Sequence, residues 1–183
     1  MRNLWFVVVP ALMTACTEVS FKEPQPQGVK SLKAVPQKLQ GTFMPEQDGL
    51  LAGKIVIYAN GYRVEKSDAS EPAEVYPLSD SLVLKYYKGY YFVSLRDESA
   101  WLLRVVKPQK DGSLMLMEMP ALSEEKTKRQ EQLNALRKIA PVTETEIRGS
   151  AVYIMEPTPK QLLRLLREGY FSKQTLLRRE TSG

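Results

Sequence analysis

Three turn signals, each set between apolar runs, constrain this chain more than any other feature. Asn60-Gly61 separates residues 55–58 from 62–64, and Lys88-Gly89 separates residues 82–87 from 90–95. A longer turn ending in Asp111-Gly112 separates residues 101–106 from 113–118. Asn-Gly is the strongest two-residue hairpin signal, because both central positions of its turn need positive φ, which these residues adopt readily. Each arm alternates or is almost wholly apolar, as an antiparallel strand with at least one covered face requires. Residues 67–80, between the first two hairpins, are polar and acidic with Pro72 and Pro77, and read as a loop. Three successive hairpins at this spacing predict an antiparallel β-meander, either a curled sheet or a small open barrel.

Two helices are expected after the hairpins, so the fold class is mainly β with two helices. Ser123 is placed to cap a helix reaching about Ile139, with Glu124 and Glu125 in the first turn, where the helix dipole favours negative charge. Glu124–Lys128 and Glu125–Arg129 have i,i+4 spacing. Only Leu133, Leu136 and Ala140 make an apolar stripe, which leaves the first half of this helix to solvent. Residues 151–155 read as a strand. Thr158-Pro159-Lys160-Gln161 then makes a capping box with proline at the first helical position. Gly169 suits the left-handed position after the helix, with Tyr170 packing back on Leu165. A last strand near residues 174–178 is expected at the sheet edge.

Absences narrow the chemistry. The chain has 183 residues, enough for one domain with a real core, and contains no histidine. That removes His-based triads and general bases and the commonest zinc and iron ligands. Cys16 is the only cysteine, so no intrachain disulfide can form. Carboxylates are frequent over residues 65–80 and at Asp97-Glu98. A glycosidase, however, needs two held about 5 to 9 Å apart on rigid elements, and a calcium loop needs regularly spaced oxygens. With no G-x-S-x-G, P-loop or Rossmann fingerprint either, no enzyme activity, cofactor or metal is expected. The formal charge of +5 falls to +4 without Arg2, and residues 41–122 are slightly acidic, with nine bases against eleven acids. No basic stripe points to nucleic acid.

The amino terminus carries an address. Met1-Arg2-Asn3 is positive, residues 4–13 are apolar, and Leu12-Met13-Thr14-Ala15-Cys16 follows. The apolar run is far shorter than the roughly 18 to 20 residues a spanning helix needs, but it suits a signal-peptide core. Leu12 to Cys16 resembles the bacterial lipobox, departing from it at Met13, where leucine is usual. The resemblance implies removal of residues 1–15 and lipid attachment at Cys16, with several acyl chains holding the protein firmly to a membrane.

Residues 16–38 read as the lipidated cysteine and a proline-rich tether that lifts the domain off the membrane, with no helical or strand period. A single β-rich domain is expected over residues 39–183. Glu23-Pro24-Gln25-Pro26-Gln27-Gly28-Val29-Lys30-Ser31-Leu32, followed by Pro36-Gln37-Lys38-Leu39-Gln40-Gly41-Thr42-Phe43, resembles the start of small Bacteroidota-type envelope lipoproteins. What that implies is an envelope lipoprotein, expected at the outer membrane, with a β-rich domain and no assigned active site.

Two surfaces are candidates for binding. Tyr86, Tyr87, Tyr90 and Tyr91 surround a tight turn, with Trp101 on a neighbouring strand. They form either an exposed platform for a sugar or a partner, or cross-strand pairs that stabilise the hairpin. In the last helix, Lys160, Arg164 and Arg167 share one face and Leu162, Leu163 and Leu166 the other. The leucines dock on the sheet, or the bases rest on anionic lipid or an acidic partner. The function expected is a non-enzymatic binding or scaffolding domain held in the envelope, its partners a membrane and another envelope protein. The alternative is a small-ligand or glycan binder that uses a barrel mouth or the tyrosines.

Overall fold

A computed structural model of the chain describes residues 18–46, 53–66, 71–147 and 150–180. The expected signal peptide, residues 1–15, and Cys16 lie outside the described residues. The hairpin signals become β3 (Gly53–Tyr58) with β4 (Gly61–Lys66), β6 (Leu82–Tyr87) with β7 (Tyr90–Asp97), and β8 (Ala100–Pro108) with β9 (Leu114–Glu118). The two later strands are β11 (Ser150–Met155) and β12 (Lys173–Arg179), and the helices are α1 (Lys126–Arg137) and α2 (Pro159–Arg167). Four further strands were not foreseen: β1 (Val19–Phe21), β2 (Gly41–Pro45), β5 (Glu74–Pro77) and β10 (Val142–Ile147). β5 lies in the stretch expected to be a loop.

All twelve strands join one mixed sheet, and the fold is mainly β with two helices. The sheet forks at β8. One edge of β8 pairs with β7, which carries β6 beyond it. The other edge is shared: Phe21 of β1 lies opposite Trp101, whereas Val105 to Pro108 pair with β9. From the fork, one arm runs β9-β12-β2-β3-β4-β5 and the other β1-β11-β10. The long arm curls until β3, β4 and β5 face β7 and β8, but β5 and β6 do not pair, so no barrel closes. Two departures from a plain meander matter. β1 runs parallel to β11, and β12 sits inside the sheet between β9 and β2 instead of at its edge.

From Glu18 onward, the segment expected to be a tether is part of the domain. All three residues of β1 are buried. Gln25 is buried, and its backbone amide donates to Ser94 Oγ at 3.0 Å. Lys85 Nζ, buried on the same side of β6, donates to the carbonyls of Pro24 (2.6 Å) and Pro26 (2.9 Å). Further on, the Leu32 amide donates to Leu84 and the Val35 amide to Ala59, both at 2.8 Å. A 3-10 turn, Gln37–Leu39, follows. Prolines spaced two apart suggest a free polyproline strand. Here their carbonyls, which proline keeps, are bonded to a lysine from elsewhere in the chain.

The first hairpin turns one residue early. Tyr58 pairs with Gly61, so Ala59 and Asn60 make the turn. Gly61 instead opens β4 at φ +147°, where a Cβ would run into the Tyr76 carbonyl of β5. Close approach of a third strand, invisible in the local sequence, accounts for this glycine. Lys88 (φ 50°) and Gly89 (φ 89°) do form the expected left-handed pair.

Apolar side chains collect on the two faces of the sheet. On one face Phe92, Leu103, Val105 and Met117 meet Leu133 and Leu136 of α1 and Leu162 and Leu165 of α2. On the concave face Phe43, Ile55, Leu84, Tyr91, Leu114 and Leu177 meet Val35 and Leu39. α1 begins two residues later than the Ser123 cap implies, with Glu125 at the cap position. The Ser123 hydroxyl accepts from the Glu125 amide instead, while Gln132 takes the Ser123 amide. α2 has the expected Thr158–Gln161 capping box, and the Tyr170 amide donates to the Leu165 carbonyl past Gly169. Its docked face centres on Leu162 and Leu165, with Leu163 and Leu166 only half-buried, because the helix sits rotated from the axis a three-leucine face would give. Lys160, Arg164 and Arg167 are exposed.

Candidate functional site

Strict alternation along the curled strands sends one set of side chains to the concave side. These include Leu95 of β7, Leu102, Arg104 and Val106 of β8, and Leu116 and Glu118 of β9. Across from them stand Ile55 and Ile57 of β3, Tyr62, Val64 and Lys66 of β4, and Glu74 and Tyr76 of β5. They enclose a cavity of about 630 Å³, within the range of small-molecule sites, whose walls are mainly apolar with a few placed polar groups. A smaller space of about 60 Å³ adjoins it, sharing Ile57, Tyr62, Val93 and Val106, and is plugged by Val35 and Leu39. One end of the concave side is therefore crossed by the chain's own amino-terminal segment.

The other end is rimmed by charge. At the fork of the sheet, the Arg104 guanidinium is paired with the Glu118 carboxylate and reaches Glu18 at 3.8 Å. Lys173 approaches Glu118 from the far side at 3.5 Å. Glu118 is 8% exposed, so its charge depends on these cations. On the opposite wall Lys66 bridges Glu71 (2.7 Å) and Glu74 (3.2 Å). The Tyr76 hydroxyl donates to Glu74 at 2.7 Å. That bond and Lys66 hold the Glu74 carboxyl below the usual carboxylate range, and hydrogen bonding to Glu71 and Glu74 pushes the Lys66 amine up. Deeper in, Tyr62 stacks on Tyr76 with ring centroids 4.8 Å apart. Burial, then the Tyr76 beside it, raises the Tyr62 phenol far above its ordinary value, so it is a neutral hydroxyl.

The tyrosines read from the sequence do not form one surface. Register pairs Tyr86 with Tyr91 and Tyr87 with Tyr90, and alternation sends the two pairs to opposite faces. Tyr86 is exposed, with its ring 4.8 Å from the buried Tyr91, and Lys38 Nζ lies over both. Tyr87 and Tyr90 pack half-buried against the helix-side core, and Trp101 is buried within it. Of the five residues, only Tyr91 borders the concave space. Cys16 lies outside the described residues. The barrel-mouth alternative names no lining residues, although two cues are present: Arg104 and Glu118 each occupy an inward position in an otherwise apolar period.

No described helix is long and apolar enough to cross a membrane, and among the described residues no group of three or more His, Cys, Asp or Glu is placed to hold a metal ion. No protein-family model, curated protein or solved structure matches this chain.

Proposed function

We propose that this protein is a lipid-anchored envelope protein, fixed to a membrane through Cys16, whose β-domain binds a small apolar or amphiphilic ligand in the concave cavity. The observation that carries the reading is the 630 Å³ space with apolar walls, crossed at one end by the amino-terminal segment and rimmed by paired charges at the other. A core-filling role alone would favour collapse of such a space, since voids forfeit packing energy. The domain works by binding, without chemistry on its ligand.

Two measurements test this. Both cores are built from residues 19–177, so the chain from Thr17 onward keeps every contact described. Titrated with a fluorescent fatty-acid analogue in lipid-free buffer, it should bind saturably at one site. Leu102→Trp, which fills the cavity, should weaken binding at least tenfold. Unsaturable binding, or binding indifferent to that substitution, would remove the cavity from consideration. For the anchor, Cys16→Ser should abolish incorporation of palmitate analogues, because the thioether forms only at a thiol. A labelled, membrane-bound mutant would sink the lipid attachment.

A further inference from the structure

We propose that the charged rim of the cavity faces the membrane that anchors the protein, and that the ligand is an acyl chain of a lipid in that membrane. The inference rests on the binding role and the anchor proposed above, and it adds where the ligand comes from. Cys16 precedes Glu18 by two residues, so their Cα atoms are at most about 7 Å apart. Glu18 is at the rim: its carboxylate reaches Arg104, which lines the cavity and pairs with Glu118. Immediately after Glu18 the chain enters the sheet as β1, with Val19 and Phe21 buried, so no tether remains to lift the domain away. The headgroup layer on each side of a bilayer is roughly 5 to 8 Å thick. An anchor in the hydrocarbon therefore places the rim among the headgroups.

The chemistry of the cavity suits that position. Its volume is that of one drug-sized body, which fits a single acyl chain and not a whole diacyl lipid. Lys66 pairs with Glu74, and Arg104 and Lys173 with Glu118, so a lipid phosphate and ammonium both find opposite charges there. The tail lies along Leu95 and Leu102, cross-strand neighbours on one wall, with the stacked Tyr62 on the other. At the far end Val35 and Leu39 line the adjoining smaller space, so the polar groups that could meet a headgroup lie at the rim.

The test uses the full lipidated chain in vesicles of phosphatidylethanolamine and phosphatidylglycerol. A small share of the phosphatidylethanolamine carries a photoreactive diazirine near the end of one acyl chain. After illumination, peptide mapping should find adducts on Leu95 and Leu102, reduced at least fivefold by Leu102→Trp. Inserting a twelve-residue Gly/Ser spacer between Thr17 and Glu18 should also reduce the cavity adduct at least fivefold. It should leave fatty-acid binding from lipid-free solution unchanged. Adducts confined to other surfaces, or equal with and without the spacer, would overturn the membrane-facing rim. If solution binding persists in that case, the binding role stands. If solution binding is itself absent, the binding role fails as well.

Discussion

One sheet presents two faces that are built alike and used differently. On the helix side, the outward residues of β7, β8 and β9 are covered by Leu162 and Leu165 of α2 and Leu133 and Leu136 of α1, and the space is filled. On the concave side, the alternate residues of the same strands meet other strands of the curled sheet across a gap of about 630 Å³. Both faces begin with the same alternation of apolar residues. What differs is the cover: α1 and α2 insert side chains against one face, whereas on the other face part of the curled sheet's walls stand apart across the cavity. Stability is therefore concentrated on the helix side, and room for a ligand on the other.

The largest expected effect tests that division directly. Leu165→Ala removes a fully buried side chain from the filled face and should destabilise the domain by about 2 to 5 kcal/mol in urea unfolding. Leu102→Ala, whose side chain borders the cavity, should remain below about 1 kcal/mol. Equal losses would erase the distinction between the faces.

Next in size is the ion pair at the fork. Arg104→Met leaves Glu118 with only the more distant Lys173 and should destabilise by about 2 to 3 kcal/mol. That is less than for a fully buried pair, because the Arg104 side chain is 21% exposed. Adding Glu118→Leu should restore most of that loss. A double variant no better than the single one would mean that Arg104 acts through something other than charge.

A smaller effect is expected where the amino-terminal segment is held. Lys85→Met removes both hydrogen bonds to the Pro24 and Pro26 carbonyls and, at about 1 to 2 kcal/mol, should speed hydrogen exchange at the Gln25 amide more than at Phe92. Burial lowers the Lys85 amine, so part of the loss is offset by relief of a desolvated charge. Unchanged exchange at Gln25 would mean that the segment is held by packing alone.

The smallest effect is a titration. Glu74 is held low by Tyr76 and Lys66, so its contribution to stability is present above the ordinary carboxylate pKa and is lost as pH falls through the lowered value. Tyr76→Phe should move the Glu74 carboxyl resonance upward in an NMR pH titration without disturbing the helix-side core. No movement would place Tyr76 outside the rim network.

Legibility tracked how local each determinant is. The α2 helix was readable at both ends because its caps are made by residues within one turn: Thr158 with Gln161, and Gly169 with Tyr170. The Lys88-Gly89 turn was readable for the same reason. β1 was not, since three residues carry no period, and it forms only because β8 and β11 both offer it an edge. The candidate site was half legible. Tyr86, Tyr87, Tyr90, Tyr91 and Trp101 were conspicuous as aromatics, but alternation divides them between two faces. The cavity residues Leu102, Leu95 and Tyr62 are ordinary strand residues until the sheet curls.

By itself the sequence determined a mainly β chain with two helices, three hairpins, the first placed one residue late, and a capped last helix. Backbone propensity, side-chain period and capping act over a few residues and need no partner. Only the tertiary structure decided that Gly61 yields to Tyr76 and that β12 enters the sheet's interior. It likewise decided that the proline segment is bonded to Lys85 and that an open space remains on the concave side. Each of these depends on which distant strand supplies a carbonyl, an edge or a wall, and that information exists only once the chain has closed on itself.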